Sequence, residues 1–213
     1  MRWWNEQVVP RAIDALLGTG EVAKFRARVC EGLEGEVLEI GLGSGLNADY
    51  YPRTVERVLG VEPSDVAWHL AETKHHHAGG PPVVRAGLDG QSLEVADGSV
   101  DAALSTFTMC TIPDVGTALS EVRRVLRSGG ALHFLEHGLS PDPGIARWQH
   151  RLTPLQRRVF AGCHLDRPVA DLVRQSGLVV EEVEQLYLPP PVPFPVPASK
   201  VVGCLYLGRA VKP

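Results

Sequence analysis

Between Glu36 and Ala131, short runs rich in β-branched residues alternate with stretches of helical period, the pattern of a mostly parallel sheet covered on both faces. Strands are predicted near 36–40, 57–61, 82–86, 100–105 and 130–136. In VGTALSEVRRVLR, the apolar residues Val115, Leu119, Val122 and Leu126 fall on one helical stripe. Asp114 can cap its start, and Gly129 is placed to stop it. A second helix is predicted over 168–175, with proline in its first turn and Gly177 just past its end. The segments 179–188 and 201–209 read as two further strands. Between them, 189–199 (PPPVPFPVPAS) carries six prolines, which lack ladder donors and predict a stiff, extended connection rather than a protruding docking motif.

With 213 residues, the chain fits one domain, 1–213, with a sizeable core; 1–30 reads as an N-terminal helical lead-in and 140–168 as an insertion. A net charge of -4, from 21 basic and 25 acidic residues, lacks the footprint of a nucleic-acid binder and favours a small molecule as partner. The cysteines at 30, 110, 163 and 204 form no CxxC pair, so local spacing suggests neither a zinc site nor a disulfide framework, and free thiols in a reducing compartment are expected. No apolar run reaches the 18 residues of a membrane span. A cytoplasmic protein with at most peripheral membrane contact is the expectation.

The chemistry concentrates in VLEIGLGSGLNADYYP, residues 37–52, where an apolar strand runs into Gly41, Gly43 and Gly45 and then into an expected helix. Glycine allows such a turn while keeping the backbone open to a ligand. Glu62 follows Gly41 by 21 residues and ends the second strand, where a carboxylate can accept both hydrogens of a ribose diol. Together these features point to an adenosine-bearing cofactor rather than a merely tight turn. A dinucleotide is disfavoured, because Gly45 comes one position earlier than in GxGxxG.

LEIGLGSG, GVEPS and LRSGGALHFLEH resemble the first, second and strand-five motifs of class I S-adenosylmethionine-dependent methyltransferases. More narrowly, GSGLNADYYP, ADGSVDAALSTFTMCTI and especially GCHLDR (162–167) resemble the methyltransferase-like thiol S-methyltransferases. The resemblance implies an α/β, Rossmann-like sheet of seven strands in the order 3-2-1-4-5-7-6, with the last strand antiparallel and helices on both faces. It implies S-adenosyl-L-methionine as cofactor, a small-molecule methyl acceptor, and 140–168 as a cover over the substrate. It also implies site roles. Gly41, Gly43 and Gly45, with Asn47, admit the methionine end, Glu39 anchors its amino group, and Glu62 with Pro63 holds the ribose. Asp89 and Gly90 meet the adenine, while Ser105 and Thr106 flank the sulfonium.

Methyl transfer from a sulfonium is an in-line displacement that needs alignment and exclusion of water more than a covalent intermediate. A thiol acceptor, with a pKa of about 8.5, gains from a nearby base. His164 in GCHLDR and His137 after the fifth strand are the candidates, each set against an ordinary structural histidine. Cys163 reads as a small buried residue, and His75-His76-His77 as a solvated helix end rather than a metal site. The stretch holding Arg147, Trp148, Arg151, Arg157, Arg158 and Phe160 reads as a solvated helical face, a pocket cap or a contact for anionic headgroups. S-methylation of a thiol is the leading expectation. Quinol C-methylation, phospholipid-amine N-methylation and an idle cofactor-binding scaffold are the alternatives.

Overall fold

The computed structural model describes residues 20–160, 162–188 and 200–213. Helix α1 (Gly20–Cys30) leads into β1 (Gly35–Ile40), β2 (Val55–Val61), α2 (Asp65–Ala78), β3 (Val83–Gly87) and β4 (Val100–Thr106). There follow α3 (Val115–Val125), β5 (Leu126–His137), α4 (Pro143–Val159), α5 (Val169–Gln175), β6 (Val179–Tyr187) and β7 (Cys204–Val211). The seven strands form one sheet in the order β3-β2-β1-β4-β5-β7-β6. β7 runs antiparallel to both of its neighbours, as the resemblance implied. Residues 1–19 of the lead-in and the 189–199 connection lie outside the described residues.

Because side chains alternate across a strand, β1 feeds two cores. Leu38 and Ile40 face a cluster with Val61, Ala103, Leu119 and Val122, whereas Val37 faces one with Val58, Trp68, Leu104 and Leu135. β1 lies between β2 and β4, with Leu38 opposite Leu59 and Ala103, so the glycine loop leaves the sheet from its buried centre. That placement brings it against the ends of β2 and β4.

Several elements differ from the sequence-based expectation. The helix expected after the glycine loop is a single 3-10 turn, Ala48–Tyr50, ended by the extended Tyr51 before Pro52. α3 begins at the Asp114 cap, whose carboxylate accepts from Thr117 N at 3.0 Å, but it ends at Val125 rather than near Gly129. Leu126 is already paired in the sheet, opposite Val100, and Gly129 takes φ +81° within β5. Residues 200–202 are helical, so β7 starts at Cys204 instead of 201. The expected solvated end of α2 holds for His76 and His77 only. His75 is buried beside Tyr51, with ring centroids 5.6 Å apart, and desolvation lowers its pKa to about 4.

Gly45 shows how the loop is seated. Its φ is +75°, and a Cβ there would lie 2.8 Å from Ala71 Cα on α2. Gly45→Ala is therefore expected to lower unfolding free energy by about 2–4 kcal/mol, from positive-φ strain plus overpacking. Urea denaturation of the purified variant measures this; a loss under about 0.5 kcal/mol would contradict the seating.

Candidate active site

A cavity of about 410 Å³ opens where β1, β2 and β4 end, lined by Gly41, Gly43, Glu62, Asp89, Thr106 and their neighbours. Gly41 has φ +69°, and a Cβ there would strike Thr108 Oγ1 at 2.2 Å, so this position brings the loop against the β4 wall. The Glu62 carboxylate accepts from Gly43 N at 2.9 Å and Ser64 N at 2.8 Å. Burial raises the Glu62 pKa, and these two backbone donors oppose the rise. Glu62 thus fixes the glycine turn as well as facing the cavity.

A buried polar chain closes one end. Arg26, from α1, donates from Nη1 to Asn47 Oδ1 at 2.8 Å and to Thr106 Oγ1 at 3.1 Å. Asn47 Nδ2 donates to Glu39 Oε1 at 2.6 Å, and Tyr51 hydroxyl donates to the other Glu39 oxygen. Arg26 also lies over the Phe107 ring, 5.4 Å from its centroid, and lines the cavity. Its Nε is buried with no hydrogen-bond partner among the described residues. A guanidinium at a cavity wall fits the carboxylate of an amino-acid ligand. The spacing of the glycine loop gave no hint of Arg26, whose helix precedes the motif.

The adjoining wall is a loop after β4 held by two buried charged side chains. Glu136, at the end of β5, accepts from Ser105 Oγ at 2.7 Å, Thr108 N at 2.9 Å, Met109 N at 3.0 Å and Cys110 N at 3.4 Å. Phe107, between Ser105 and these donors in the chain, takes φ +55°, rare outside glycine. From the other side, Arg167 donates to the carbonyls of Met109 and, at 2.6 Å, of Ile112. His164 N donates to Cys110 O at 2.8 Å. GCHLDR, the segment most distinctive in the sequence, is therefore bound to the loop that walls the cavity.

Of the residues expected at the site, Gly41, Gly43, Glu62, Pro63, Asp89, Gly90 and Thr106 line the cavity. Four expected cofactor contacts do not. Glu39 and Asn47 stand behind Arg26 and Thr106, and Gly45 packs on α2. Ser105 points across the strand to Glu136, because its neighbour Thr106 takes the cavity face. Neither candidate base lines it either. His137 meets the Phe107 ring edge-on, with centroids 5.7 Å apart, and His164 Nδ1 lies 3.2 Å from Cys110 O. No described residue of 140–168 is among the lining residues.

The fold also brings together three side chains of metal-ligating type that local spacing did not point to. Donor atoms of Cys110, His137 and Cys163 lie within 4.8 Å of one another, with Cys163 Sγ 3.6 Å from His137 Nδ1. The Cys110 sulfur and then His137 draw the Cys163 pKa down, while Cys163 and then burial push that of Cys110 up. Sequence spacing missed this group because its members come from three separate segments.

The geometry has parallels in known proteins. A family model described as a methyltransferase domain matches residues 38–134. Human thiol S-methyltransferase TMT1B is 33% identical over 189 residues, covering 85% of this chain and 73% of that protein. Human thiol S-methyltransferase TMT1A is 36% identical over 170 residues, covering 77% and 66%. The solved structure of a geranyl diphosphate methyltransferase in complex with SAM has a TM-score of 0.70 at 14% identity, over 90% of this chain and 84% of that one. The chain belongs to the class I S-adenosylmethionine-dependent methyltransferases. Within that class it is a relative of the thiol S-methyltransferases, and its cofactor is S-adenosylmethionine.

Glu39 provides a pH test of the buried chain. Burial raises its pKa from 4.5 to about 7, against the hydrogen bonds of Tyr51 and Asn47 and the charge of Arg26. The folded protein therefore holds this proton more tightly than the unfolded chain. The stability so gained is full below about pH 4.5 and is lost as pH rises through about 7. Glu39→Gln should gain on the parent between about pH 5 and about pH 8, by on the order of 3 kcal/mol. Urea titrations at both pH values check this, and an unchanged difference would exclude a buried, proton-holding Glu39.

Proposed function

We propose that this enzyme methylates the sulfur of a small thiol. The observation that carries the reading is the attachment of GCHLDR to the cavity wall: Arg167 and His164 bond to the Met109–Ile112 backbone. The segment that most specifically resembles thiol S-methyltransferases thus shapes the end of the cavity lined by Phe107, Thr111, Ile112 and Pro113. That largely apolar wall suits a neutral, soft acceptor better than a charged one.

Gly41 and Gly43 let main chain approach the methionyl part of the cofactor, and the Arg26 guanidinium at the cavity wall faces its carboxylate. Glu62 takes the ribose hydroxyls while remaining bonded to Gly43 N and Ser64 N. Asp89, whose Oδ1 already accepts from Gln91 N at 2.9 Å, meets the adenine with Gly90. When bound, S-adenosylmethionine supplies an electrophilic methyl carbon. The protein's own part is alignment, exclusion of water and acceptance of the thiol proton. His137, behind the Phe107 ring and against Cys163, is the group we assign to the proton. His164 serves instead as a positioning residue through the loop. The 140–168 segment acts on the substrate end of the cavity through that same attachment rather than by covering it.

Incubation with methyl-labelled cofactor and a panel of alkyl thiols, quinols and phospholipid amines tests the acceptor. Labelled thioether is expected, and label confined to quinols or amines would overturn the reading. Glu62→Ala should weaken cofactor binding by about 30-fold or more in calorimetry, since it loses a charged contact and the loop's anchor. His137→Ala should lower kcat/KM for thiols about a hundredfold near neutral pH, with recovery as pH passes the thiol's own pKa of about 8.5. A loss of equal size at every pH would remove His137 from the proton's path.

A further inference from the structure

Helix α4 is oriented the wrong way round for a helix of a water-surrounded domain. Its inward face is polar: Gln149, 1% exposed, donates to Gly138 O at 3.0 Å and Val201 O at 3.1 Å and accepts from Ser140 N at 2.8 Å. Thr153, also buried, donates back to Gln149 O at 2.8 Å. The three Gln149 bonds to other segments fix the helix's rotation. Outward stand Trp148 at 55% exposure, Leu152, Leu155 at 61% and Val159, with Phe160 following at the C-terminus. At 100° per residue, the first four lie within about 60° of arc, a single apolar stripe.

Charge is segregated on the same helix. Residues 143–160 contain four arginines and no aspartate or glutamate, although the whole chain carries a net charge of -4. Arg147, Arg151 and Arg158 flank one side of the stripe, and Arg151 lies over the Trp148 ring at 5.5 Å. Among the described residues, none of the four guanidiniums is paired with a carboxylate, whereas His150 of the same helix pairs with Asp166. Also among them, no helix is long and apolar enough to cross a membrane.

We infer that α4 docks this enzyme on an anionic lipid surface, with its apolar stripe in the headgroup–acyl boundary and its arginines on lipid phosphates. The pattern meets the physical requirements of an interfacial helix: an indole and leucines for the apolar boundary, guanidiniums for phosphate oxygens, and no acidic residue to repel the surface. The inward hydrogen bonds hold the stripe outward before any contact, so docking needs no refolding of the helix. The GCHLDR attachment follows α4 directly in the chain. Docking therefore places the cavity wall near a phase in which apolar acceptors dissolve.

Vesicle flotation with phosphatidylcholine alone and with added phosphatidylglycerol tests the inference. The parent protein should prefer the anionic vesicles by about tenfold or more, and raised salt should weaken that preference. Leu155→Glu, and separately the pair Arg151→Glu with Arg158→Glu, should reduce binding to the phosphatidylcholine level while thermal unfolding and cofactor affinity stay unchanged. Brominated lipid should quench the parent's fluorescence, and Trp148→Phe should remove that quenching; this second readout stands even if a charged variant folds poorly. No anionic preference, or undiminished binding by both charged variants, overturns the inference. So does a self-associated parent that Leu155→Glu converts to monomer without any vesicle binding, which would give the stripe to a second copy of the chain.

Discussion

One buried carboxylate organises the working end of this molecule. Glu136 reaches from the end of β5 to the end of β4 and receives a hydroxyl and three backbone amides. Its burial raises its pKa, yet the four donors supply in one place what water otherwise supplies to an ionised carboxylate. The backbone can hold Phe107 at φ +55° because the residues just after it are tied down. That conformation turns the Phe107 ring between Arg26 and His137 and sets the cavity's wall.

Arg167 completes the arrangement from the other side, taking carbonyls of the same loop while Glu136 takes its amides. A loop whose donors and acceptors are both satisfied by buried ions has few alternative conformations. Burial lowers the pKa of Arg167 and raises that of Glu136, so each is unfavourable alone, and each lies within the other's electrostatic field. The chemistry proposed for the site depends on this rigidity, since displacement at carbon tolerates little misalignment.

The sheet was legible because its signals are local. β-branched runs, the Asp114 cap and the hairpin at the end of the chain each sit within a few residues, and strand order followed from the resemblance. The helix after the glycine loop was not, because Tyr51 and Pro52 stop it after one turn, and glycine-loop patterns end before those positions. That Gly41, Glu62 and Asp89 meet at one cavity was legible for the same reason as the strands. Arg26, Glu136 and the Cys110–His137–Cys163 group were not, as each depends on segments far apart in sequence. Glu39 and Ser105 show a further limit. Their residue types suit the cofactor, but which face of a strand meets the cavity is decided by the sheet, and both point elsewhere.

The order in which the ribosome releases the chain gives the Arg167 clamp a temporal meaning. The glycine turn and its Glu62 anchor emerge early, and the first five strands can assemble by residue 137. The wall of the crevice, however, is secured only when residues 164–167 arrive, and β5 keeps an unpaired edge until β7, the final strand, slots between it and β6. A nascent chain therefore presents half a crevice and an open ladder until β7 has emerged. Ligand capture and protection against edge-to-edge aggregation both wait on segments that follow the first five strands.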